Sequence, residues 1–401
     1  MTLKQAFDQT VFLLGAGASY EADCLVSRGM LAKLHQAIVD IPQDHIVYKD
    51  YKKAFVELYE FVRPSLSFQS DLRNIRSGGD LYSPNIEDYI LILRKIINKD
   101  FVIPEPLVGS WSERLMRLEI KYDNIFEMYL NFIYEKVIEW ITPADNYVAA
   151  GELLAPFSSL LKETNDINYH INLFTLNYDL VFEKVLNTDS VLQVNTGFDS
   201  DGVWNANWFN SDTAKINFSK LHGSLDWYLN LDDTCCLSNH SVAFNPLNPD
   251  ELKPHIILGF EYKLFSVDPF FTLLQQFIRQ LKRSKLLVVI GYSFFDNYLN
   301  NIIIRHLNSD DNCRILIVDP YWAAKATPKE DFLLYLRQIQ ADTSNLNINN
   351  YTTLSSSRLE FYQPAEAGSA GAKSFYQEFL NNKAEHLISY LSQTGQVELE
   401  F

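Results

Sequence analysis

The chain has 401 residues, 47% of them apolar, which marks it as globular and admits either two or three domains or one domain with a large insertion. With 34 Lys and Arg against 50 Asp and Glu the formal charge is −16, which argues against sequence-independent binding to nucleic acid or to an anionic membrane. The 4 cysteines, Cys24, Cys235, Cys236 and Cys313, form no C-x-x-C pair, so no structural zinc is expected.

In chain order, the first element is the apolar run "TVFLL" (10–14), which ends in the small-residue turn Gly15-Ala16-Gly17-Ala18-Ser19. A strand, a glycine turn and a helix start are the parts from which dinucleotide sites are built. The third glycine of G-x-G-x-x-G, however, falls on Tyr20, and no strand-ending acid follows about 20 residues later. Helical periodicity then fills 51–62, 85–98 and 112–140, and a helical insertion is expected over about 45–165. The entry "SPNIEDY" (83–89) places acids in a first helical turn, where the helix dipole favours them.

Three more strand-and-turn units follow: "INLFTLNYD" (171–179), "KLLVVIGYSFFD" (285–296) and "RILIVDP" (314–320). Near-continuous apolar runs of this kind predict strands buried on both faces, so the expected fold is α/β, a Rossmann-like, mostly parallel sheet covered by helices. A last strand at 357–363 and a last helix at 375–391 flank the small-residue loop 365–374. No run approaches the roughly 18 apolar residues of a membrane span and no secretory leader is visible, so a cytoplasmic location is expected.

The unusual polar residues sit at strand ends, where open α/β sheets collect ligands. Asn177 could position a ribose or a water and Asp179 could cap the next helix, or the whole turn could be an Asx cap and nothing more. In "KLHGSLDW" (220–227), His222 precedes a glycine that permits close approach; a histidine is the usual general base, although a single one is more often a hydrogen-bonded core or surface residue. Gly291 opens a second glycine turn, with Ser293 and Asp296 placed to cap. Two such turns could hold the two ends of a pyrophosphate-linked ligand by backbone amides. Asp319 could accept from a ribose hydroxyl or an adenine amine, or simply end its strand in a turn.

Taken in order, G-A-G-A-S (15–19), T-x-N-Y-D (175–179), H-G-S (222–224) and G-Y-S-F-x-D-x-x-x-N (291–300) resemble the motifs of the sirtuin-like domain. The resemblance implies an NAD-binding domain over 1–325, with 326–401 completing or flanking the sheet. It assigns Asn177 and His222 to the catalytic places. Gly15, Ala16, Gly17, Ser19, Thr175, Asp179, Gly291, Ser293, Asp296, Asn300 and Asp319 take the cofactor places.

The departures are specific. The two C-x-x-C pairs of the deacylases' zinc module are missing, Leu176 stands where they carry glutamine, and "YEADCLVSRGM" (20–30) does not match their segment after the glycine loop. What remains resembles the bacterial antiphage branch, in which a sirtuin-like domain hydrolyses NAD, and in particular the subunit that pairs with a HerA-type ATPase. The resemblance therefore implies NAD as substrate, no zinc, a homo-oligomer and a protein partner. A transferase, or a non-catalytic sensor of NAD or ADP-ribose derivatives, is the alternative.

Overall fold

The computed structural model describes residues 3–77, 83–98, 111–145, 147–163, 170–186, 194–210, 216–239, 241–245, 253–258, 268–340, 354–362, 371–381 and 391. After a short helix α1 (Leu3–Asp8), strand β1 (Thr10–Leu14) enters the middle of the molecule, and helix α2 (Ser27–Val39) follows the glycine turn. Helices α3 (Lys52–Ser77), α4 (Ile86–Ile97), α5 (Trp111–Lys121), α6 (Ile125–Trp140) and α7 (Val148–Glu163) then separate β1 from β2 (Ile171–Thr175).

Helix α8 (Val181–Leu186), strands β3 (Val194–Asn195) and β4 (Ile216–Lys220) and a hairpin of β5 (Trp227–Leu229) and β6 (Cys235–Leu237) come next. The chain continues through α9 (Phe270–Arg283), β7 (Leu286–Ile290), α10 (Asn297–Ser309), β8 (Arg314–Val318), α11 (Pro320–Ala323) and α12 (Pro328–Gln340). It closes with β9 (Leu359–Phe361) and α13 (Ala372–Asn381); the rest of the helix expected to 391 lies outside the described residues, apart from Leu391.

Seven strands form one sheet in the order β3-β4-β2-β1-β7-β8-β9, and every pairing in it is parallel. Parallel strands need covering on both faces, and alternation along β1 provides for it. Phe12 and Leu14 point into a cluster with Leu173, Val288, Leu316 and residues of α7 and α13, whereas Val11 and Leu13 point into one with Phe174, Val289, Ile317, α9 and α10. The expected α/β class is the observed one, with three more strands in the sheet (β3, β4 and the anticipated β9) than the four glycine- or aspartate-ended runs.

A third apolar cluster belongs to the helical layer. It runs from Met30 on α2 through α3, α4, α5 and α6 to Ile141, and takes in Leu180, Leu225 and Leu258 from the loops beneath. Tyr89 and Tyr129 meet at its centre, their hydroxyls 2.7 Å apart. Helix α7 packs instead with the sheet, where Ala150, Leu153 and Leu154 join the first cluster. The 112–140 segment, expected as one helix, breaks at Tyr122–Asn124, where Asn124 takes a left-handed φ of 50° that a continuous helix does not allow. Helix α4 starts as the sequence suggests: Asn85 accepts from the Glu87 and Asp88 amides, and Asp88 accepts from the Asn85 amide in return.

Candidate functional site

The carboxyl ends of β1, β2, β4, β7 and β8 lie side by side, and the chain leaves β1 toward β2 on one flank and returns to β7 on the other. Such a reversal of strand order opens a crevice at the carboxyl edge. At its centre the two glycine turns touch. The Gly15 amide donates to the Ile290 carbonyl and the Gly17 amide to the Gly291 carbonyl, both at 2.9 Å. A Cβ on Gly15 would lie 2.6 Å from Gly291 O, and one on Gly17 would lie 2.7 Å from Gly291 Cα. Gly291 itself sits at φ 63°. The glycines thus allow backbone to meet backbone, and Ala16 and Gly17 form the half-exposed part of the loop.

On the β2 side the next strand end is built around Asn177. Its amide N–H donates to Thr175 Oγ1 at 3.0 Å, and that hydroxyl in turn faces the Leu14 carbonyl at 3.5 Å. Asn177 Nδ2 donates to Ser19 Oγ at 3.0 Å, so the buried Ser19 joins the glycine turn to the end of β2. Asp179 caps α8 by accepting from the Val181 amide at 3.0 Å. Burial pushes its carboxyl up, while Lys220 and hydrogen bonds from Val181, Ser19 and Asn177 favour the charged form.

His222 follows β4. Its carbonyl accepts from the Ile257 amide at 2.8 Å, and Gly223 turns at φ 90° against the backbone of His255, where a side chain has no room. His222 Nε2 lies 3.5 Å from Asp296 Oδ2. The other oxygen of Asp296 caps α10, accepting from the Tyr298 and Leu299 amides at 3.1 Å each. One carboxylate thereby fixes a helix start and faces the histidine.

The remaining expected residues divide. Asn300 is buried inside the 292–296 turn, with Nδ2 donating to the Phe294 carbonyl at 2.6 Å and Oδ1 accepting from Tyr292 Oη at 3.0 Å. Ser293 is exposed, and its carbonyl accepts from Tyr335 Oη at 2.5 Å. Asp319 caps α11 through the Tyr321 amide at 2.8 Å, and burial raises its carboxyl. The structure therefore brings Ser19, Asn177 and Asp179 together on one side and His222 and Asp296 on the other, with Asp319 at the end of β8.

Residues that motif reading passes over complete the edge. Lys220, 3% exposed, ends β4; its ammonium donates to the Tyr178 carbonyl at 3.4 Å, to the Asp179 carbonyl, and to Glu183 Oε1 at 2.5 Å. Burial raises the Glu183 carboxyl to about 7 and pushes Asp226 up as well, Lys220 opposing both. Arg28, on the first turn of α2, lies over the Phe295 ring at 5.3 Å. The signal for Lys220 is a charged residue ending a strand that is otherwise inside; Glu183 and Asp226 carry none. Cys235 and Cys236 are buried on β6, and among the described residues no group of three or more His, Cys, Asp or Glu side chains is placed to hold a metal. No helix among them is long and apolar enough to cross a membrane.

Residues 171–343 match the family model described as the SIR2-like domain. The match takes in the strand ends carrying Asn177, His222, Gly291 and Asp319 and begins after the glycine turn at 15–19. No match was found among curated proteins. Similar solved structures include a SIR2 homolog in complex with NAD, at 12% identity and a TM-score of 0.40, covering 96% of this chain and 94% of that one. Another is Sir2Tm bound to a propionylated peptide, at 13% identity and a TM-score of 0.34, with 95% and 98% covered.

Proposed function

We propose that the chain is an NAD glycohydrolase, cleaving the nicotinamide–ribose bond to give nicotinamide and ADP-ribose. The observation that carries this reading is the placement of Asn177 and His222 on two neighbouring strand ends, each beside a partner from another strand end, Ser19 after β1 and Asp296 after β7. The SIR2-like match over 171–343 supports it.

Cleavage of an N-glycosidic bond builds positive charge on the ribose, so a held ribose and a placed water lower the barrier. The Asn177 amide nitrogen donates to Ser19 Oγ at 3.0 Å, which orients the group so that its oxygen can accept from a water or a ribose hydroxyl. Water attacks the anomeric carbon, the glycosidic electron pair leaves on the nicotinamide nitrogen, and His222 takes the proton released. Asp296, beside His222, stabilises the imidazolium so formed. Backbone around Ala16 and Gly17, the turn at Gly291–Ser293 and Asp319 hold the dinucleotide, with Thr175, Asp179 and Asn300 bracing the turns from inside.

In this reading the enzyme serves antiphage defence by depleting NAD, and its activity waits on assembly with further copies or with a HerA-type ATPase. The helical layer fits such control, because its apolar cluster includes Leu180 and Leu225 from the loops after β2 and β4. Incubating the purified chain with NAD, alone and with a candidate ATPase, and measuring nicotinamide tests the proposal. Release that Asn177→Ala abolishes is the expected result; no release in either case, or equal release by wild type and Asn177→Ala, overturns it.

A further inference from the structure

Lys220 stands two residues before the H-G-S motif and has no role assigned by it, yet it is the only described lysine whose side chain is both this deeply buried and bonded to the backbone of the Asn177 turn. Burying an ammonium is costly unless it is paired and hydrogen-bonded, and a methionine would fill the same space without that cost. The partners here are specific. Two are the carbonyls of Tyr178 and Asp179, the residues directly after Asn177, and the third is Glu183 on α8. Lys220 itself stands two positions before His222 and directly opposite Thr175 in the β2–β4 register.

The surrounding bonds show what this lysine adds. Leu221 N–H donates to the Thr175 carbonyl at 2.8 Å and Leu225 N–H to the Tyr178 carbonyl at 3.0 Å, so backbone pairs join the strand ends before and after the turn. Just beyond them the carbonyl of Asp179 has Lys220 as its donor. The ammonium is held on its far side by Glu183, whose second oxygen has no hydrogen-bond partner, as has Asp226 Oδ1.

We infer that Lys220 is a positioning residue, a cationic crossbar that fixes the Asn177 turn against the His222 loop and so sets the distance between the two groups proposed to act on NAD. The inference rests on the proposed activity for its kinetic readout. It has a second readout that does not.

Lys220→Met is the test variant, compared with wild type for nicotinamide release from NAD and for hydrogen exchange of the Asn177 and Val181 amides. The expected result is a fall in kcat of about 100-fold with KM within threefold, and exchange of those two amides at least tenfold faster while the β1 and β7 amides keep their rates. A kcat within threefold of wild type, or unchanged exchange at both amides, overturns the inference. If Lys220→Met does not fold, Glu183→Gln is scored by the same two measurements at pH 8, above the value of about 7 to which burial raises the carboxyl, so that the substitution removes the anion aiming the ammonium; about a tenfold fall in kcat and faster exchange are expected, and no change in either overturns the inference. If wild type releases no nicotinamide, the enzymatic reading fails by itself, and the exchange rates still decide whether Lys220 holds the turn.

Discussion

Gly17 and Gly291 meet backbone to backbone: the amide of the first donates to the carbonyl of the second at 2.9 Å, in a contact too close for any side chain on either. Gly291→Ala therefore introduces both a collision and a strained positive φ, whereas Gly17→Ala introduces the collision alone. Urea unfolding should show Gly291→Ala destabilised by about 3 kcal/mol and Gly17→Ala by about 2 kcal/mol. Midpoints equal to wild type would mean that the turns are not packed in this way in solution.

Asn177→Ala and His222→Ala should each lower nicotinamide release by roughly 100-fold or more, the usual range for a lost positioning or proton-transfer group. Their far-UV circular dichroism should match wild type, because neither side chain belongs to an apolar cluster. Asp296→Asn separates the two duties of that residue. The amide oxygen can still cap α10, so stability should hold, while release should fall about 10-fold because the charge beside His222 is lost; unchanged release would remove Asp296 from the mechanism.

His306 gives a pH dependence with a definite sign. It is buried on α10 among Ile303, Ile304 and Leu307 with neither ring nitrogen bonded, and burial, with Lys285 adding to it, lowers its pKa from 6.5 to about 4. The folded state holds it neutral, so its contribution is full above pH 6.5 and is lost as pH falls toward 4. His306→Leu should be at least as stable as wild type at pH 7. Its advantage should grow by on the order of 1 kcal/mol per pH unit through that window, measured by urea unfolding. A constant difference across pH would refute the assignment.

Glu183 acts in the opposite direction. Its carboxyl is raised from 4.5 to about 7, so the folded state binds a proton that the unfolded chain has released, and stability falls as pH rises through that interval. Glu183→Gln should remove this slope. Stability profiles of the two proteins that stay parallel between pH 4.5 and 7 would show that Glu183 remains charged throughout.

The Tyr89–Tyr129 hydroxyl pair is suited to a double-mutant cycle. Tyr89→Phe or Tyr129→Phe strands the other buried hydroxyl and should cost about 1–2 kcal/mol, while changing both should cost less than the sum. Strict additivity would place the two hydroxyls apart.

The sheet was legible wherever apolar residues were continuous. "TVFLL", "INLFT", "LLVVI" and "RILIV" are strands because branched and aromatic side chains pack on both faces, and the run itself records that. Strand β4, "INFSK", was not legible, since polar residues interrupt its apolar run and Asn217 is bonded only across the sheet. Asn217 donates to Asn172 Oδ1 and accepts from Asn195 Nδ2, each at 3.3 Å, along a ladder that spans three strands. The Asn177 and His222 positions could be read because each follows a strand in a recognisable motif. The Ser19–Asn177 bond and the Lys220–Glu183 pair join residues far apart in the chain, and no local pattern encodes them.

The central pairing of the sheet joins β1, close to the start of the chain, with β7, whose first residue is Leu286. On a ribosome the first glycine turn emerges long before its counterpart, and a chain stopped short of Gly291 has nothing to close the crevice against. Contacts of such long sequence separation form late and slowly. The crevice thus waits on the translation of Gly291, and until then the first glycine turn has no counterpart to meet.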